Sequence, residues 1–164
     1  MEKYQNKLSE WMGRLRANSV VVMRGVPGSG KSTTANFIKN ELKTKGLSCT
    51  ICSADEFFID CFGNYKFKGD LIGCAHEECF NRFKLALNIN TNVIIVDNTS
   101  IQSWNYEKYN APGYTVHVIE MEMEVGQVQL CQRRCVHEVS YEKILQMFNE
   151  FQHDGHAFRL PIAQ

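Results

Sequence analysis

The segment "GVPGSGKS", Gly25 to Ser32, constrains this chain more than any other. It follows a β-branched run, Val20 to Met23, and opens "KSTTANFIKNELKTKG", whose pattern predicts a helix ending at Gly46. The letters satisfy G-x-x-x-x-G-K-[ST], a spacing that acquires a physical meaning between a strand and a helix. Gly25, Gly28 and Gly30, with Pro27 and Ser29 among them, let backbone N–H groups face inward at a helix start, where the helix dipole favours an anion. Lys31 is then expected to reach the β and γ oxygens of a polyphosphate and Ser32 to ligand a bridging Mg²⁺. Thr33 faces the helix or the α-phosphate. An ordinary glycine turn explains neither the Lys-Ser pair nor so many glycines.

Around this loop the chain alternates strand and helix patterns. Tyr4, Leu8, Trp11, Met12 and Leu15 recur at helical steps and predict an amphipathic helix within residues 1–18. A strand is expected over about Ser48 to Ser53, a helix from about Asp70 to Asn88, and a strand at "NVIIVD", apolar throughout as one covered on both faces. A short helix from about Ser103 and a strand at "YTVHVIEM" come next. Residues 125–155 read as a helical lid and C-terminal helices, the second opening at Ser140 with a Val139/Ile144 staple across its cap. The expected fold is α/β, a three-layer P-loop NTPase or kinase fold. Its sheet is mostly parallel, of four to five strands, with helices on both faces and ligands at the carboxyl ends of the strands. A length of 164 residues suits one domain.

Lysine plus arginine and aspartate plus glutamate each total 18, so no global positive field draws in nucleic acid; such a substrate must be gripped locally. No apolar run approaches a bilayer span, and the first residues lack the apolar centre of a signal peptide. The expected setting is intracellular, cytoplasmic or nuclear, without membrane contact. Seven cysteines, an odd number scattered over strands and helices, read as reduced thiols. Cys49 and Cys52 form a CxxC, but on a strand residues three apart point to opposite faces, so neither a redox pair nor a structural metal is expected.

Several P-loop chemistries are excluded or narrowed. Asp60-Cys-Phe-Gly63 matches a GTPase D-x-x-G in letters without a strand leading into it, and no N/T-K-x-D base reader occurs. A small kinase needs a carboxylate beside the acceptor hydroxyl, an acid for the metal and a cation over the transferred group. Asp55, after the second strand, suits the first role, in competition with capping of "EFF". Asp97, ending "VIIVD", suits the second. Of Arg133 and Arg134 in the lid only one can readily face the site, and Arg134 is favoured. Phe58, Tyr65 and Lys66 are the candidates for holding the acceptor, by stacking or by a backbone phosphate contact.

Taken together, "RGVPGSGKST", "SADEFF", "VIIVDNTSIQSWNYEKY" and "CQRRCVHEVSYEKILQMFNEFQHD" resemble the polynucleotide-kinase-like P-loop family, in particular its branch comprising the P-loop domain of NEDD four-binding protein two and shorter relatives. The resemblance covers about Val20 to Asp154. It implies ATP and Mg²⁺, Asp55 as general base for a nucleic-acid 5′-hydroxyl, and Arg134 as the lid arginine on the ATP phosphates. One departure matters. Where the phage and bacterial polynucleotide kinases have an arginine three positions after the aspartate, this chain has Phe58, and His137 and Glu138 stand where some relatives have another lid cation. The expected function is ATP-dependent phosphorylation of a nucleic-acid 5′ end. A metabolite or nucleoside kinase, and a nucleotide-binding interaction module without transfer, are the alternatives.

Overall fold

A computed structural model describes residues 2–162. Helix α1 (Glu2–Met12) precedes β1 (Ser19–Arg24), α2 (Lys31–Thr44), β2 (Cys49–Cys52), α3 (Ile72–Asn88) and β3 (Val93–Asp97). β4 (Thr115–Glu122), α4 (Val128–Arg134), α5 (Tyr141–Asn149) and β5 (Phe158–Pro161) complete the order. The strands form one sheet in the order β2-β3-β1-β4-β5, and every pairing is parallel. β1 therefore lies at the centre, flanked by β3 and β4, with Val20 to Met23 and Val93 to Val96 all fully buried.

Alternation along these strands builds the three layers. Val21, Met23, Val93 and Ile95 join an apolar cluster with α1, α2, α4 and α5, while Val20, Val22, Ile94 and Val96 join another with α3 and Tyr109. Cys49 packs toward the first cluster and Cys52 belongs to the second, as the strand pattern implies. Burial pushes the Cys49 thiol up to about 11 and the Cys52 thiol up to about 12, so both stay protonated at neutral pH. Among the described residues no helix is long and apolar enough to cross a membrane.

Several boundaries differ from the sequence expectation. The first helix stops at Met12, short of residue 18, and Met1 lies outside the described residues. The region from Ser103 is two 3₁₀ turns, Ser103–Asn105 and Glu107–Tyr109, rather than one helix. The first turn is pinned by a reciprocal pair of side-chain hydrogen bonds between Gln102 and Asn105. β5 is an added edge strand whose Pro161 the edge position tolerates. The Ser140 cap is present, its hydroxyl accepting from Lys143 N–H at 3.2 Å, with Val139 and Ile144 in the same apolar cluster.

The strand that leads into the phosphate loop ends on a fully buried cation, Arg24. Its guanidinium pairs with buried Glu120 of β4 and donates to the carbonyls of Ser100 (2.8 Å), Ile101 (3.2 Å) and Gln152 (2.6 Å). The faces of Tyr106 and Phe151 lie 4.7 and 4.8 Å from its central carbon. Glu120 also accepts from Asp154 N–H at 2.7 Å. Removing one partner of such a pair leaves an uncompensated buried charge. Arg24→Met is therefore expected to lower unfolding free energy by about 3–5 kcal/mol, read from urea denaturation of the two proteins.

Candidate active site

Three strand ends are tied together before any ligand is considered. Gly25 N–H donates to the Thr99 carbonyl at 3.0 Å, joining β1 to the segment after β3. The Asn98 side chain accepts from Ala54 N–H at 3.0 Å, joining that segment to the end of β2. Asp55 and Asp97, each next to one of these bonded residues, are thereby held at the same edge as the phosphate loop. Gly28 shows why that loop needs glycine: its φ is 75°, and a Cβ there would lie 1.9 Å from the carbonyl oxygen of Cys131 in α4. Helix α4 therefore rests directly on the loop backbone.

These elements surround a cavity of about 980 Å³. Pro27 to Thr33 form its floor, with Asp55, Asp97 and Arg134 on its walls; Gly25, at the foot of the loop, is tied instead to Thr99. Lys31 is buried and donates to the Val26 carbonyl at 3.0 Å. Burial draws its ammonium below the usual lysine range, and the carboxylates of Asp97 and Asp55 pull it back. Burial likewise pushes the Asp97 carboxyl up, opposed by Lys31 and by the Ser32 hydroxyl. Asp97 Oδ1 is buried with no hydrogen-bond partner among the described residues. An unsatisfied carboxylate oxygen beside a serine hydroxyl offers the hard oxygen donors that Mg²⁺ takes. No group of three or more His, Cys, Asp or Glu suited to a metal occurs among the described residues. Such an ion would complete its shell with phosphate and water.

The wall around Asp55 contains groups that the sequence motifs did not indicate. Asp55 begins a 3₁₀ turn, Asp55–Phe58, and its side chain makes no cap, so the carboxylate remains available to the cavity. It accepts from the Tyr65 hydroxyl at 3.3 Å and faces His137 Nε2 at 3.4 Å. The Tyr65 and His137 rings lie 4.0 Å apart, so the connection after α4 meets the segment carrying Tyr65 at Asp55. His76 of α3 also lines the cavity, its ring drawn down by burial. No spacing rule marks His76, because it is one polar residue on a helix whose placement depends on how α3 packs. His137 had a cue in its lid position.

The other expected acceptor residues divide. Phe58 is mostly buried in the second cluster, in contact with Phe57, Tyr65 and Phe67, while its edge lines the cavity. Lys66 is not among the lining residues; its ammonium pairs with Asp60 at 2.8 Å. Asp60 also accepts from Phe62 and Asn64 N–H, which together with Lys66 hold its carboxyl down to about 2. That network shapes the turn closed by the Ile59–Tyr65 bridge. Arg134, the last residue of α4, lines the cavity, and Arg133 does not.

A glycine loop between a central parallel strand and a helix, with acids at two neighbouring strand ends and Arg134 of α4 lining the same cavity, defines a P-loop kinase-like nucleotide-binding fold. The sequence profile of the family described as "Chromatin associated protein KTI12" matches residues 19–154, and the chain belongs to that family. It is 35% identical over 138 residues to NEDD4-binding protein 2 of Homo sapiens, covering 81% of this chain and 8% of that much longer protein. The resemblance seen in the motifs is thus borne out.

Among solved structures the chain is similar to Chaetomium thermophilum Kti12 in complex with ADP-AlF3, with TM-score 0.64, 15% identity and coverage of 87% of this chain and 88% of that one. For Mycobacterium tuberculosis APS kinase CysC in complex with AMPPNP and APS the values are 0.59, 16%, 90% and 90%. For the Pnkp1/Rnl/Hen1 RNA repair complex they are 0.56, 22%, 81% and 44%. At these identities the likeness is one of fold.

The Asp97 environment has a measurable consequence. A carboxyl raised above its ordinary 3.8 by folding stabilises the protein only while protonated. That contribution is lost as pH rises from the unfolded value through the folded one. The direction of the shift already includes the attraction of Lys31, so ionising this carboxyl is a net cost to the ligand-free fold. Asp97→Asn is expected to raise the melting temperature at pH 7 and to leave it nearly unchanged at low pH, as measured by circular dichroism.

Proposed function

We propose that this domain transfers the γ-phosphoryl group of ATP to the 5′-hydroxyl end of a nucleic acid. The observation that carries the proposal is Asp55: a carboxylate oriented by Tyr65 and His137, sharing one cavity with the phosphate loop. The backbone amides of Gly28 and of Gly30 to Thr33 supply N–H groups and Lys31 supplies charge for the donor phosphates. Asp55 takes the proton of the acceptor hydroxyl as its oxygen bonds to the γ-phosphorus. The bond to the β–γ bridging oxygen breaks in line, and ADP leaves. Arg134 stabilises negative charge on the transferring group. Mg²⁺, held by Ser32 and Asp97, neutralises phosphate charge when bound.

A second reading, transfer to a small hydroxylated metabolite or nucleoside, is favoured by the acceptor wall. Phe58, Phe67 and Ile72 are apolar, and Lys66 is committed to Asp60, so this wall offers little grip for a nucleic-acid backbone. The APS kinase similarity supports this reading and the RNA repair complex supports the first. A nucleotide-binding interaction module would retain the loop and lack turnover. We place the protein inside the cell, in cytoplasm or nucleus. The description of the family as chromatin associated supports the nucleus.

Transfer from labelled ATP to a panel of 5′-hydroxyl DNA, RNA, nucleosides and sugars separates the three readings, with Lys31→Ala as control. Asp55→Asn is expected to lower kcat by about 10²–10⁴-fold with ATP affinity nearly intact. Undiminished turnover in that variant removes Asp55 from the base role. ATP binding with no transfer to any acceptor favours the interaction module.

A further inference from the structure

The cavity extends beyond the residues that the transfer step uses. Because the transfer is in line, the acceptor and the nucleoside of the donor lie on opposite sides of the transferred group. The strand order decides which side is which. Asp55 follows β2 at one edge of the sheet, α1 packs on β5 at the other edge, and β1 with its phosphate loop lies between them. At the α1 end the cavity is lined by Tyr4 and Gln5 of α1, Phe37 of α2, and Lys143 and Met147 of α5.

This end is rigidly built. Leu8, Trp11 and Met12 bury α1 in the core, and the Trp11 ring stacks on Phe158 of β5 at 5.6 Å. The Tyr4 hydroxyl shares a hydrogen bond of 2.5 Å with Thr34, inside the first turn of α2. Phe37 stands one helical turn beyond Thr33, about 6 Å further along α2 from the phosphate-binding end. Phe37, Tyr4 and Met147 give the cavity aromatic and apolar side chains there. At its rim the exposed Gln5 presents a primary amide, with both a donor and an acceptor.

We propose that α1 completes the nucleobase end of the donor site, with Phe37 and Tyr4 against the face of adenine and the Gln5 amide reading its edge. An amide side chain pairs bidentately with the N6–H donor and N7 acceptor of adenine, an edge that cytosine, which has no N7, does not carry. α1 lies outside residues 19–154, the part matched by the family profile. This assignment rests on the donor half of the proposed function and is independent of which acceptor is used.

The test is calorimetric titration of the full chain, in Mg²⁺, with three probes: ATP, CTP and inorganic tripolyphosphate. Wild-type protein is expected to prefer ATP to CTP, and Gln5→Ala to reduce that preference by about tenfold with tripolyphosphate affinity unchanged. Phe37→Ala is expected to weaken both nucleotides and spare tripolyphosphate, because an aromatic face stacks on any base. Gln5 is exposed, so its substitution keeps the test valid even if Phe37→Ala fails to fold. Equal binding of ATP and CTP by the wild type overturns the assignment and leaves the donor reading standing. So does a Gln5→Ala loss shared by tripolyphosphate, or no loss at all. A wild-type protein that binds none of the probes overturns both.

Discussion

The buried guanidinium of Arg24 joins the segments that border the phosphate loop. It ends β1, immediately before Gly25, and its donors reach the turn after β3, the carboxylate of Glu120 on β4 and the backbone at Gln152. Lysine could not do this, because one ammonium on a flexible stem has neither the planar fork nor enough donors for a carboxylate and three carbonyls together. A loop that must hold its amides in an anion-binding curve needs a stationary base. The pair Arg24–Glu120 and the aromatic faces of Tyr106 and Phe151 provide it.

From that base the site is assembled by short-range backbone constraints. Gly25 bonds to Thr99 and Ala54 bonds to Asn98, so the ends of β1, β2 and β3 form one ledge carrying Lys31, Asp97 and Asp55. The lid is set by contact with Gly28, where only a glycine admits the Cys131 carbonyl. The same ledge brings a lysine and a buried aspartate together at some cost to the ligand-free fold, as Asp97, whose Oδ1 has no hydrogen-bond partner among the described residues, shows. Such unsatisfied groups are characteristic of a surface organised for binding rather than for stability.

The central strands and the loop were legible because their signals are local. A run of β-branched residues, a glycine series and a Lys-Ser pair lie within the thirteen residues Val20 to Ser32, and the alternation of Val20 to Met23 and Val93 to Val96 between layers follows from strand geometry. The third strand ends at Asp97 as its sequence suggests. β5 was not legible: four residues ending in proline carry little pattern, and they become a strand only because β4 offers a free edge. The turns after Ser103 read as a helix, yet they are two 3₁₀ pieces, the first closed on itself by the reciprocal bonds of Gln102 and Asn105.

What the sequence determined by itself was the phosphate-binding strand–loop–helix unit and the identity of the acids and arginine available to it, because backbone amides and glycine conformations are dictated by residues adjacent in the chain. Only the tertiary structure decided what stands opposite those residues. His137 and His76 near Asp55, and Tyr4 and Gln5 at the far end of the cavity, come from segments distant in sequence. Their positions follow from how α1, α3 and the lid pack on a sheet in the order β2-β3-β1-β4-β5, and that packing is set by long-range burial that no local spacing encodes.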